Sequence, residues 1–152
     1  MIEALDTLLE QAVRLRDEAL AALLQAESAA NRLRLQSEQL HVYRGEYHAR
    51  GPTRAGSTST VELLHCHRGF MQRLDQALSQ QQGQLQTAEA RVVQLRGTLL
   101  AHETRVASVR KLLERRAQEQ RVQAARLEQR RSDDAAVQRH WRQRTGALPA
   151  AH

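Results

Sequence analysis

Along the first fifty positions, apolar residues recur at alternating intervals of three and four. Positions 5, 8, 12, 15, 19, 22, 26, 29, 33, 36, 40, 43 and 47 read Leu, Leu, Ala, Leu, Ala, Ala, Ala, Ala, Leu, Gln, Leu, Tyr, Tyr. Twelve of these thirteen side chains can pack against a partner helix, and so narrow a stripe is the seam of a coiled coil rather than the broad face of a globular helix. The spacing predicts a first helix over about residues 2–48, roughly 70 Å long at about 1.5 Å per residue. A helix of that length with one narrow apolar stripe requires a partner.

The pattern then breaks over about residues 49–58. Gly51, Pro52 and Gly56 are followed by Ser57, Thr58, Ser59 and Thr60, residues that favour turns and caps. Ser59 and Glu62 have the spacing of a capping box, in which each side chain satisfies a backbone N–H left free by the first helical turn. A second helix is therefore expected from about residue 59. A linker this short returns the chain antiparallel to itself, because it cannot span a long helix to make a parallel pair.

The second seam runs through Phe70, Leu74, Ala77 and Gln81, then Leu85, Ala88, Val92, Leu95, Leu99, His102, Val106, Val109 and Leu113. The step from Gln81 to Leu85 is four where three is due, which predicts a stutter. Gly83 lies inside it as a soft point. Beyond Leu113 the stripe fades to isolated Val122, Leu127 and Trp141. The expected fold is all-α: a single coiled-coil domain over residues 1–152, built as an antiparallel two-helix hairpin with a longer second helix to about residue 144 and a frayed tail at 145–152. Folding at residues 51–58 would set residue 5 opposite roughly residue 104 and leave about 40 residues of helix two unpaired.

Composition agrees with this pattern and adds an asymmetry. Four aromatics (Tyr43, Tyr47, Phe70, Trp141) in 152 residues are too few to fill a globular core. Of the 23 basic residues only Lys111 is a lysine. Residues 103–144 hold 12 basic and 6 acidic side chains, a balance of +6 that equals the formal charge of the whole chain. An antiparallel hairpin thus places three aromatics at its looped end and its net charge at the other. Cys66 is the one cysteine, so no disulfide framework exists within the chain. The absence of a long apolar run and the acidic start predict neither a membrane span nor a secretory signal.

Catalytic signatures are missing: the chain has no phosphate-binding glycine loop, no dinucleotide fingerprint and no zinc-protease motif, and no cofactor is expected. His65, Cys66 and His67 suggest a metal, but residues two apart point about 200° away from each other on a helix, so no metal site is expected either. The Arg-rich stretch could bind phosphates of nucleic acid or acidic lipid. Glu103, Glu114, Glu119, Glu128, Asp133 and Asp134 interrupt it, with pairing such as Glu128 to Arg131 expected, and only Trp141 offers a stacking surface. Docking into a protein with an acidic lining suits it better than nucleic acid.

The elements Gln36, Leu40, Tyr43, Arg44, Glu46 and Tyr47, then Gly69, Phe70, Leu74, Ala77 and Gln81, and later Leu112, Leu113, Glu114 and Arg115, make the chain resemble the FliJ family of flagellar type III export proteins. The resemblance covers nearly the whole chain. It implies a non-enzymatic antiparallel coiled coil, similar to the central stalk of rotary ATPases, that inserts into the hexameric flagellar export ATPase and promotes its assembly and activity. It further implies contact with the cytoplasmic domain of the export gate, escort of export chaperones, and a location on the cytoplasmic face of the inner membrane at the flagellar base. Carried over by position, Gln36, Leu40, Tyr43, Tyr47, Phe70, Leu74, Ala77 and Gln81 would form the gate-facing patch. The alternatives are an Arg-rich coiled coil binding nucleic acid or a membrane surface, and the equivalent stalk of a virulence secretion system.

Overall fold

A computed structural model describes residues 2–51 and 61–146. Two helices make up the fold, α1 (Ile2–Arg50) and the longer α2 (Val61–Gly146), and no strand occurs among the described residues. The protein is all-α, with the two helices packed against each other. Packing divides into two units: residues 12–104 form one, and residues 1–11 with 105–152 form the other. Both helices are rich in Ala, Leu, Arg, Gln and Glu, which lose little side-chain freedom in a helix. Helix α1 closes on Gly51, whose φ of 60° is the left-handed conformation that glycine adopts without steric cost; its N–H donates to the Tyr47 carbonyl at 3.3 Å. The expected capping box lies outside the described residues, because Ser59 does. Helix α2 runs two residues past its expected end, and near that end Thr145 Oγ1 donates to the Trp141 carbonyl at 2.9 Å.

In the unit of residues 12–104, the α1 seam differs in phase from the one read off the spacing. Its buried positions are Ala12, Ala19, Leu23, Ala30 and Ser37, with Ala26, Leu33, Leu40, Arg44 and Tyr47 half-buried. One member of each expected pair (12, 19, 26, 33, 40, 47) keeps its place, and the other moves one residue on. Leu23 and Ala30 are buried beside the expected Ala22 and Ala29, which are half-buried; Ser37 is buried where Gln36 is exposed, Arg44 half-buried where Tyr43 is exposed, and Arg16 half-buried where Leu15 is exposed. Leucine at 23 buries more apolar surface than alanine at 22, which favours the shifted phase. Arg16 and Arg44 accommodate it by laying their stems along the seam and sending their heads out to Asp17 and Asp75.

On α2 the expected positions Phe70, Leu74, Ala77, Gln81 and Leu85 are all at least half-buried, and Leu78 is buried beside Ala77; a second series, His67, Met71, Leu74, Leu78, Gln81, Leu85, Ala88 and Val92, alternates steps of four and three through the same stretch. Leu23, Ala30 and Val92 form the central cluster, with Ala26, Ala88, Leu95 and Leu99 packed against it.

Polar pairs across the helices set the register. Arg34 Nη2 meets Glu89 at 3.2 Å, Arg96 Nη2 meets Glu27 at 3.3 Å, Arg44 Nε meets Asp75 at 2.5 Å, and Gln81 Nε2 donates to Gln36 Oε1 at 3.2 Å. A fold centred between residues 54 and 55 would put Arg34 opposite residue 75 and Arg44 opposite residue 65. The ion pairs put them against 89 and 75, so α2 pairs about ten or more residues further along than expected. Surface ion pairs add little stability, but a register slip would break all three at once.

In the other unit, Val106 and Val109 are buried, and Ile2, Leu5, Leu9, Leu113 and Ala117 are half-buried. Every described residue from 118 to 146 is exposed, a shorter unpaired stretch than the 40 residues expected.

Candidate partner-binding surface

The aromatic residues gather across the two helices of the 12–104 unit. Tyr43 and Tyr47, one helical turn apart on α1, lie 6.4 Å apart between centroids with rings inclined by 28°. Phe70 of α2 meets Tyr47 at 4.4 Å and Tyr43 edge-on at 6.4 Å and 77°. These are the tilted and edge-to-face arrangements favoured by the ring quadrupole, and each adds about 0.5–1.5 kcal/mol beyond burial. His67 completes the group by stacking on Tyr47 at 5.0 Å and 13°. In the sequence His67 stands out beside His65 and Cys66 as a possible metal ligand and not as a member of this group. Its position three residues before Phe70, on the same helical face, is the signal that locates it. His65 and Cys66 are exposed, the Cys66 thiol is free, and no group of three or more potential metal ligands occurs among the described residues.

Seven residues further into the hairpin from Tyr43, Gln36 receives the Gln81 hydrogen bond, while Gln81 Oε1 is buried without a partner among the described residues. With buried Ser37 alongside, this makes a polar layer in the seam. An unsatisfied buried acceptor costs about 1–3 kcal/mol, so the layer reduces stability locally. Leu40 on α1 and Leu74 and Ala77 on α2 occupy the seam between this layer and the aromatic group. Of the eight residues carried over from the family resemblance, Gln36 and Tyr43 are exposed, Leu74 is buried, and Leu40, Tyr47, Phe70, Ala77 and Gln81 are half-buried.

The two sides of this hairpin differ. Asp75, Glu89 and Arg96 fall at multiples of seven residues on α2, so their ion pairs with Arg44, Arg34 and Glu27 lie along one side. A separate groove of about 870 Å³ is lined by Ala22, Ala26, Ala29, Gly83, Thr87 and Ala88 among others. No ion pair joins its lining residues.

The Arg44 guanidinium donates to Asp75 and holds its carboxyl below the usual carboxylate range; the same contact raises Arg44.

The basic stretch of α2 carries seven arginines against Glu119, Glu128, Asp133 and Asp134 over residues 118–146. Among the described residues no ion pair closes there, Glu128 to Arg131 included; Gln129 Nε2 donates to Asp133 Oδ1 at 3.2 Å. Leu127 and Trp141 keep the phase of Leu99 and Leu113, but Gln120 and Asp134 occupy the heptad positions between them, so both stand as isolated, exposed apolar side chains beyond Ala117. No helix among the described residues is long and apolar enough to cross a membrane.

Comparison with known proteins gives one match. The family model described as "Flagellar FliJ protein" matches residues 1–145. No curated protein and no solved structure matches the chain. With the match spanning both helices, the chain belongs to the FliJ family of flagellar type III export components.

Proposed function

We propose that the protein is a non-enzymatic stalk that couples the hexameric flagellar export ATPase to the export gate and escorts export chaperones. One observation carries the ATPase half of this reading. Leu127 and Trp141 stand exposed on a stretch of α2, residues 118–146, that packs against nothing among the described residues and carries an excess of arginine. An unpartnered helix of basic character with a few exposed apolar side chains suits the interior of a ring with acidic lining. The aromatic group supports the gate half, since clustered rings supply contact area at low entropic cost. Tyr43 and Gln36 would touch the gate directly, and Leu40, Tyr47, Phe70, Leu74, Ala77 and Gln81 would shape and hold that surface.

The test adds the purified chain to the cognate export ATPase. Faster ATP turnover and ring assembly are expected, and no change in either refutes the stalk reading. In parallel, Tyr47→Ala with Phe70→Ala should lose binding to the gate's cytoplasmic domain while helicity is retained. Unchanged binding would remove the gate assignment.

A further inference from the structure

The eight gate-facing residues leave a question of area, because six of them are buried or half-buried in the packing between the helices. A surface that meets a folded domain needs exposed anchors as well. Beside Tyr43, which is 45% exposed, the outer face of α1 presents Leu35 at 59% and Val42 at 61%. Leu35 and Val42 are seven residues apart and so share one helical stripe, and Tyr43 and Gln36 flank it on the next. Singly exposed apolar residues are ordinary. Three within nine positions on adjoining stripes, continuous with the aromatic group, form a patch.

The charges around the patch specify what it fits. Leu35, Glu38, Gln39, Val42, Tyr43 and Glu46 line one shallow depression, and both of its charged members are carboxylates. Neither Glu38 nor Glu46 has an ion-pair partner among the described residues, and the nearby Arg44 guanidinium is engaged by Asp75.

We infer that the gate-binding surface extends from Tyr43 onto the outer face of α1, with Leu35 and Val42 as its apolar anchors and Glu38 and Glu46 reading a basic rim on the gate's cytoplasmic domain. This rests on the gate-facing reading above. The partner cleft has an apolar floor for Leu35 and Val42 and Lys or Arg at its edge, placed to meet the two carboxylates as they lose water.

The experiment measures binding of the full chain to the purified cytoplasmic domain of the gate at two salt concentrations, for wild type, Leu35→Glu with Val42→Glu, Glu38→Lys with Glu46→Lys, and Tyr47→Ala with Phe70→Ala. Each of the first two double variants should weaken binding about tenfold or more. The lysine variant should also flatten the salt dependence seen in wild type. Thermal melts of both should match wild type, since all four side chains lie on the exposed face. If the Tyr47 and Phe70 variant loses binding while both outer-face variants bind within about twofold of wild type, the extension is wrong and the gate reading stands. If wild type does not bind, or the Tyr47 and Phe70 variant binds normally, the gate reading falls and this inference with it. Self-association that responds to the outer-face substitutions while gate binding does not would assign the patch to a second copy and overturn the proposal.

Discussion

Adjacent leucines at 23 and 24 offer a direct test of the seam phase. Leu23 is 7% exposed and sits in the central cluster with Ala30 and Val92, whereas Leu24 is 57% exposed. Leu23→Ala removes the largest α1 side chain in that cluster, and its α1 neighbours Ala26 and Ala30 are too short to fill the space. Leu→Ala at buried sites costs about 2–5 kcal/mol. A two-helix seam borders solvent and can relax, so the lower part of that range, about 2–3 kcal/mol, is expected here. For a chain of this length each kcal/mol moves Tm by about 2–4 °C, giving a drop of roughly 5–10 °C. Leu24→Ala should stay within about 0.5 kcal/mol, as surface changes do, because the helix propensities of Leu and Ala are close. Circular-dichroism melts and urea titrations of the two variants measure both values. Equal losses, or a larger loss at Leu24, would refute the burial of Leu23 in the seam.

Two further outcomes follow from the same geometry. A Cβ added at Gly83 meets nothing within 4 Å, so Gly83→Ala should stabilise by about 1 kcal/mol through helix propensity alone; a lower Tm would show that the glycine is required by a contact or a bend. The Asp75 carboxyl lies below its ordinary range chiefly because Arg44 donates a hydrogen bond to it, so its stabilising contribution is fully present above the unfolded pKa and is lost as pH falls through the folded value. An NMR titration of Asp75 should give a midpoint below about 3.9, and Arg44→Gln should return it upward; no movement on that substitution contradicts the assignment.

Much of the architecture is legible in the residue pattern. The two stripes announce two helices, the glycine at 51 marks the end of the first, and on α2 all of the expected seam positions from Phe70 to Leu113 are at least half-buried. The candidate site is legible in outline, since Tyr43, Tyr47 and Phe70 flank the turn from either side and meet in space. His67 escapes that reading because a histidine beside His65 and Cys66 suggests a metal ligand before it suggests a ring stacked on Tyr47. Leu35 and Val42 escape it because a search for seams discards apolar residues that fall outside them.

Local periodicity determined the number of helices, their approximate ends and the three-four spacing of their contacts, because each depends on residues near one another in the chain. Tertiary structure alone decided which of two adjacent stripes on α1 is buried. Ala22 and Leu23, or Ala29 and Ala30, are apolar neighbours that differ by 100° around the helix, and either can begin an unbroken heptad series. The choice rests on what α2 presents: Val92 to receive Leu23, and Asp75, Glu89 and Arg96 to receive the charges that flank the chosen stripe. Those partners are distant in sequence, so only the packed hairpin brings them to bear.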